Sequence, residues 1–288
     1  MSQQDDAGAA RGALTRVRIE IAYDGTDFSG WAIQPELRTV QGVLQKALGQ
    51  IYSSFADPPT LVVAGRTDAG VHAAGQVAHL DLRQEQLDRV GPDTLARRLN
   101  GILGTASDVV VRSSEPAPEG FDARFAAVWR RYEYRLGDAL TPRNPLQRHR
   151  TVWFTGSLDA EQMDDAAATL LGLHDFASFC KPREGATTIR TLQKFSWRRD
   201  DDGVLVADIK ADAFCHSMVR ALVGACVAVG EGRLDVETLV DLRDAVERTS
   251  AFKVMPAKGL SLIEVGYPVA AELAGRALQT RARRDSGR

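Results

Sequence analysis

The chain has 288 residues, of which 44% are hydrophobic and 26% charged, with a formal net charge of −2. That length can bury a substantial core, in one large unit or two half-sized ones, and the composition is that of a water-soluble globular protein. No apolar run is long enough to cross a bilayer, the opening MSQQDDAGAARGALTR carries acids where a signal peptide has a basic end, and Cys180, Cys215 and Cys226 show no C-x-x-C spacing, which together predict a cytoplasmic protein with no membrane association, with free thiols and without a structural metal.

Residues 1–14 are small and polar and read as a tail that packs little. RVRIEIAY, 16–23, alternates charged and apolar residues as a half-buried strand does, and Asp24-Gly25 marks a turn. Thr39 caps a helix that places Val40, Val43, Leu44, Ala47, Leu48 and Ile51 on one face. Strands are predicted over 61–64 and 76–82, then a helix over 92–103 and a strand over 108–112. SSEPAPEG, 113–120, reads as a linker. The second half begins with a strand region over 123–136 and a helix over 157–171. Strands over 189–198 and 204–210 flank the turn Asp201-Asp202-Gly203. Helices over about 216–229 and 236–248 and a strand over 259–266 follow, and 271–288 reads as a basic tail. The order β-α-β-β-α-β thus occurs twice, over 15–115 and 121–268. It predicts an α+β fold of two tandem split β-α-β, ferredoxin-like halves, each burying one sheet face under its helices. If the sheets join, their open faces form a cleft suited to a polymer.

Charge is uneven along the chain. Between Arg124 and Arg150 seven arginines stand against two acids, Glu133 and Asp138, with Phe125, Trp129, Tyr132 and Tyr134 interleaved. Cations that neutralise phosphates, alternating with rings that stack on bases, are a footprint of nucleic-acid contact. A solvated strand face beside a core strand accounts for the same charges.

The stretch LVVAGRTDAGVHAAGQVAHLDL, 61–82, places Asp68 in a tight turn between strand-like runs. A turn aspartate commonly accepts backbone amide bonds. Here the turn also sits on a rigid scaffold, where catalytic groups are often carried, and Gly65 and Gly70 permit close approach of a ligand. Arg66, folded back, would favour the charged carboxylate. An ionised carboxylate so held suits nucleophilic or electrostatic work at a sugar carbon. His72 and His79 read as a turn residue and a strand-face residue, since no other ligand spacing completes a metal site. His216 reads as shaping a helix start, with RNA contact as the alternative, and Cys215 and Cys226 as small apolar groups. Trp31 fits core and cleft equally.

AGRTDAGVHA, 64–73, closely resembles the catalytic motif of the tRNA pseudouridine synthase A family. AYDGTDFSGWAIQP (22–35), RRYEYRL (130–136), FCHSMVRALVG (214–224) and PAKGL (256–260) resemble further family segments in the expected order, so the likeness spans about 16–268. It implies a homodimeric enzyme without a cofactor that isomerises uridine to pseudouridine at positions 38, 39 and 40 of the tRNA anticodon stem-loop. It also implies that the two halves form one continuous, mostly antiparallel sheet with a central RNA-binding cleft. Carried over, Asp68 is the catalytic aspartate and Arg66 its motif arginine. Tyr132 packs against the target base, Arg220 pairs with Asp68, and Leu260 lines the uracil pocket. Arg130 and Arg131, beside Tyr132, supply substrate contacts together with Gly65 and Gly70. Ala32, Cys215 and Ser217 depart from the family pattern, where glutamine, leucine and a larger polar residue are common.

Two other functions fit parts of the chain. A non-catalytic RNA-binding protein of two RRM-like halves would share the element order, but the aromatic RNP pattern is absent from the sequence. A glycosidase or nucleoside hydrolase using Asp68 would need a second acid as proton donor, and no motif supplies one.

Overall fold

The computed structural model describes residues 14–182 and 187–285. The expected N-terminal tail lies outside the described residues except for Leu14, which is exposed.

Strand β1 (Thr15–Tyr23) buries Val17, Ile19, Ile21 and Tyr23 and turns Arg16, Arg18 and Glu20 outward, as its period of two requires. Helix α1 (Val40–Ile51) starts where the Thr39 hydroxyl accepts a bond from the Gly42 amide, and it buries Val40, Leu44, Ala47, Leu48 and Ile51. Then come β2 (Val62–Val63), β3 (His72–Leu82), α2 (Gln84–Arg89), α3 (Pro92–Leu103) and β4 (Val109–Pro116). The second run contains β5 (Trp129–Gly137), β6 (Val152–Trp153), α4 (Ala160–Thr169), β7 (Gly172–Asp175), β8 (Ile189–Arg199), β9 (Leu205–Ala211), α5 (Met218–Gly230), α6 (Val236–Asp244), β10 (Leu260–Gly266) and α7 (Leu273–Asp285).

All ten strands join one mixed sheet with the order β4-β1-β3-β10-β5-β9-β8-β7, while β2 adds to β3 and β6 to β5. Pairing is antiparallel except between β5 and β6 and between β3 and β10, where Ser261 pairs with His72 and Leu262 with Ala73. The last strand in sequence therefore lies in the middle of the sheet. Its approach requires a glycine, since a Cβ on Gly75 would collide with the Ile263 carbonyl. The apolar helix α5 is buried along almost its whole length.

Several boundaries differ from the sequence reading. Residues 113–116, expected to open a linker, extend β4, with Pro116 opposite Val17. The strand expected from 123 begins at Trp129, because the Asp122 carboxylate accepts the Arg124 and Phe125 amides at 2.9 and 2.8 Å and turns the chain there. The short α2 was not expected. Gln86 is buried within it and closes its start by accepting the Arg83 amide.

Two expectations are corrected. The basic stretch from 271 does not pack loosely. It forms α7, which buries Leu273 and Ala277, sets Ala274 over Gly120, and pairs Arg281 with Asp122 at 2.6 Å. Cys180 and Cys215 are not free thiols but are joined in a disulfide with a Cα–Cα distance of 5.8 Å. The fold brings the segment after β7 against the arm before α5, where the Lys181 amide bonds the His216 carbonyl at 2.9 Å, and a separation of 35 residues gives no sequence signal for that contact. Cys226 is a buried thiol pushed up to about 12 by burial.

His79 on β3 is buried and accepts the Ala123 amide on Nδ1 at 3.1 Å. Burial, aided by the Arg16 charge, pushes its imidazole down to about 4. A lowered folded value means that the unfolded chain takes up the proton first, so this contribution is complete above pH ~6.5 and is lost as pH falls towards ~4. His79→Gln is expected to lose less stability than wild type between pH 7 and pH 5, by on the order of 1–2 kcal/mol in urea unfolding; equal losses would refute this role.

Candidate active site

The Asp68 turn joins β2 to β3 and is held from several directions. The Trp31 amide donates to the Thr67 carbonyl at 3.1 Å, the Gly70 amide to Phe28 at 3.2 Å, and the Val71 amide to Asp68 at 3.2 Å. Gly30 and Gly70 have φ of 94° and 77°, where L side chains are strained. A Cβ on Gly30 would also stand 2.9 Å from the Thr67 carbonyl. Beneath the turn the Thr67 and Tyr23 hydroxyls lie 2.7 Å apart, and Gln76 donates to the Gly65 carbonyl at 2.8 Å. Trp31 is core, with its ring tilted against that of Tyr23.

This scaffold presents the Asp68 side chain 41% exposed, with Arg220 Nη1 3.9 Å from Oδ2 and His216 Nε2 3.8 Å from Oδ1. Arg220 lies in the first turn of α5. Its Nε donates to the Met255 carbonyl at 2.6 Å, while the Met255 amide donates back to the Arg220 carbonyl at 3.1 Å. The guanidinium is thus fixed at one edge and turns Nη1 towards the carboxylate. Arg66 is exposed, and among the described residues it makes no ion pair with Asp68. The arginine that faces the carboxylate comes from 152 positions further along the chain than Asp68, which explains why the local sequence suggested the wrong neighbour.

Tyr132 on β5 pairs with Leu262 and meets the Phe214 ring in a T-shaped contact at a centroid distance of 5.3 Å. Burial raises its phenol well above the ordinary range, so the hydroxyl keeps its proton at neutral pH. Leu260 is buried at the start of β10 opposite Tyr134. The Tyr134 hydroxyl donates to the Pro256 carbonyl at 2.8 Å, and its ring fills the space where Gly259 has no Cβ. His72 links the two sides: the Gly25 amide donates to Nδ1, and Nε2 faces the Lys258 carbonyl, each at 3.0 Å. The PAKGL segment is thereby set against the Asp68 turn, with Ala257 lying 3.4 Å from where Gly70 would carry a Cβ.

The structure brings Asp68, Arg220, Tyr132, Leu260, Gly65 and Gly70 around one junction of strands. Arg130 supports it from behind, donating to the Ala64 and Asp212 carbonyls at 3.0 Å. Arg131 faces the other side of the sheet, within 4.0 Å of Glu133, Asp208 and Glu264. The sequence suggests for His216 the shaping of a helix start, with RNA contact as the alternative, and assigns no site role to Phe214, Tyr23, Thr67 and Gln76. His216 and Phe214 lie within the FCHSMVR segment, but their contacts with Asp68 and Tyr132 are long-range and leave no local signature. Among the described residues no group of three or more His, Cys, Asp or Glu is placed to hold a metal ion.

Residues 166–268 match a family described as tRNA pseudouridine synthase. Over 278 residues the chain is 63% identical to tRNA pseudouridine synthase A of Leifsonia xyli subsp. xyli, covering 93% of this chain and 96% of that protein. It is 52% identical to the protein of that name from Cutibacterium acnes, over 94% of this chain and 95% of the other. With the Mycobacterium leprae protein of the same name it shares 47% identity, over 94% and 96% respectively.

The positive φ and crowded contact at Gly30 give a test of how the turn is held. Gly30→Ala is expected to cost about 1–3 kcal/mol, seen as a lowered thermal midpoint, whereas Gly49→Ala, with open space around its Cβ position inside α1, should leave the midpoint equal or higher.

Proposed function

The chain belongs to the tRNA pseudouridine synthase A family, and from that premise we propose that it acts at positions 38, 39 and 40 of the tRNA anticodon stem-loop with Asp68 as the catalytic carboxylate. The chemistry is an isomerisation of uridine to pseudouridine: the N1–C1′ bond breaks, the uracil turns while bound, C5 joins C1′, the C5 proton is lost to solvent and N1 takes up a proton in its place. No electron is gained or lost overall. Asp68 serves the sugar either as nucleophile at C1′ or as base at C2′, and both roles require the charged form. The observation that carries this reading is the Asp68 carboxylate, set between Arg220 and His216 at 3.9 and 3.8 Å.

Each neighbour then has a task. Arg220 sets a positive charge opposite the carboxylate when a bound base displaces water. Tyr132 offers the uracil a ring face and a protonated hydroxyl, a donor rather than a base, and Leu260 closes the apolar side of the pocket. The base must leave its stack at a cost of a few kcal/mol, offset by stacking and phosphate contacts. Arg66, exposed two residues before Asp68, is free to meet the RNA. Arg130 holds the turn in place, and Arg131 keeps a part in the substrate surface that its three acidic neighbours moderate.

We read 15–115 and 121–268 as two ferredoxin-like halves around a central RNA-binding cleft. The orders β4-β1-β3, with β2 beside β3, and β10-β5-β9-β8 support this, because each places its first strand between its fourth and third. A cytoplasmic homodimer working without a cofactor completes the reading, on the strength of the family resemblance.

Two measurements test it. Purified protein should release tritium from [5-³H]uridine-labelled tRNA, and Asp68→Ala should release none while binding tRNA within about threefold of wild type; retained turnover would remove Asp68 from its role. Raising salt from 50 to 200 mM should weaken tRNA binding at least about tenfold if several phosphates are neutralised, and a flat response would exclude that mode of contact.

A further inference from the structure

Directly under the Asp68 turn lies a polar group that the chemistry above does not use. Tyr23, at the end of β1, is 5% exposed, Thr67 7% and Gln76 0%. The Tyr23 hydroxyl lies 2.7 Å from Thr67 Oγ1 and receives a longer bond of 3.4 Å from Gln76 Nε2. The same Gln76 amide donates to the Gly65 carbonyl at 2.8 Å, and Gln76 Oε1 accepts the Val77 amide at 3.2 Å. One buried hydroxyl and one buried amide therefore hold both Gly65 and Thr67, the residues that enter the turn just before Asp68. A core built only for stability would place apolar groups here, because each buried polar group loses its hydration and must find a partner inside.

The group also reaches Tyr132. Tyr23 is close enough that its charge, if formed, would oppose ionisation of the Tyr132 phenol, and burial pushes its own phenol up to about 12. Tyr23 thus stays neutral under both reaction partners, with its ring against Trp31 at 6.0 Å.

We propose that Tyr23, through Thr67 and with Gln76 as its brace, is a positioning residue that sets the Asp68 carboxylate relative to Arg220 and Tyr132. This rests on the reading of Asp68 as the catalytic carboxylate. Thr67 is the link because its side chain is fixed from below while its carbonyl is fixed by the Trp31 amide, which leaves little freedom for the peptide that carries Asp68. An error of an ångström in a reacting group can cost about 100-fold in rate, so a displacement of a few tenths is enough for a tenfold loss.

The test compares Tyr23→Phe, Thr67→Val and Thr67→Ser in single-turnover tritium release at saturating tRNA, with tRNA affinity and thermal midpoint measured for each. Tyr23→Phe and Thr67→Val, which keep ring and shape but remove a hydroxyl, should each slow the bound-state step about tenfold or more with tRNA affinity within twofold. Thr67→Ser, which restores the hydroxyl, should recover most of the rate even if its midpoint falls as far as that of Thr67→Val. The double variant Tyr23→Phe/Thr67→Val should be no slower than the worse single one, since both break one contact. Wild-type rates in Tyr23→Phe, or equal rates in Thr67→Val and Thr67→Ser, overturn the proposal while leaving Asp68 in place. No tritium release by wild type overturns the functional reading itself. Should Tyr23→Phe fail to fold, the Val and Ser pair at 67 still decides.

Discussion

The two-residue parallel pairing between β3 and β10 is the constraint on which the site depends. It joins His72 and Ala73 to Ser261 and Leu262, segments 189 positions apart. Asp68 lies just before the pairing on one strand, Leu260 just before it on the other, and Tyr132 directly across from Leu262 on the next strand. Short pairing alone would be weak, so side chains reinforce it. His72 bridges Gly25 and Lys258, Tyr134 anchors Pro256, and Gly75 allows the backbones to close. Without the junction, the Asp68 turn and the segments carrying Leu260 and Tyr132 would lose the backbone pairing between them.

Around that junction, charge and burial are divided between neighbours. Asp68 is part-exposed and faces two cationic or titratable groups, while Tyr132 is buried under Phe214 and keeps its proton. In the proposed reaction the first would act at the sugar and the second would offer the base a surface. The cost of this arrangement is moved below it, into the buried polar atoms of Tyr23, Thr67 and Gln76, where every group has a partner and the dielectric makes each bond count.

Much of the fold was legible in the sequence because its signals are local. Thr39 capped α1 as its side chain type suggests, the alternation in 16–23 gave β1, and α3 runs over 92–103 as read. The turn around Asp68 was legible for the same reason. What was not legible is long-range. Arg220 faces Asp68 only because α5 and the Met255 segment meet at the junction, and spacing cannot show that; it was reached through the family likeness alone. His216 sits beside Asp68, Cys180 beside Cys215, and Arg281 on Asp122 for the same kind of reason. The basic end of the chain read as a tail because its polar face dominates the composition, while two buried positions, Leu273 and Ala277, are enough to dock it.

The position of β10 also bears on how the protein is made. Synthesis delivers β3 and β5 long before the strand that belongs between them, so during translation the N-terminal stretch of β3 and the facing side of β5 wait as open edges. Open edges on a nascent chain are the places where a second chain can add. The waiting edge of β5 carries Arg130, Arg131 and Glu133, charged side chains of the kind that discourage such pairing. The strands around Asp68 are therefore complete only once residues 260–266 have been made.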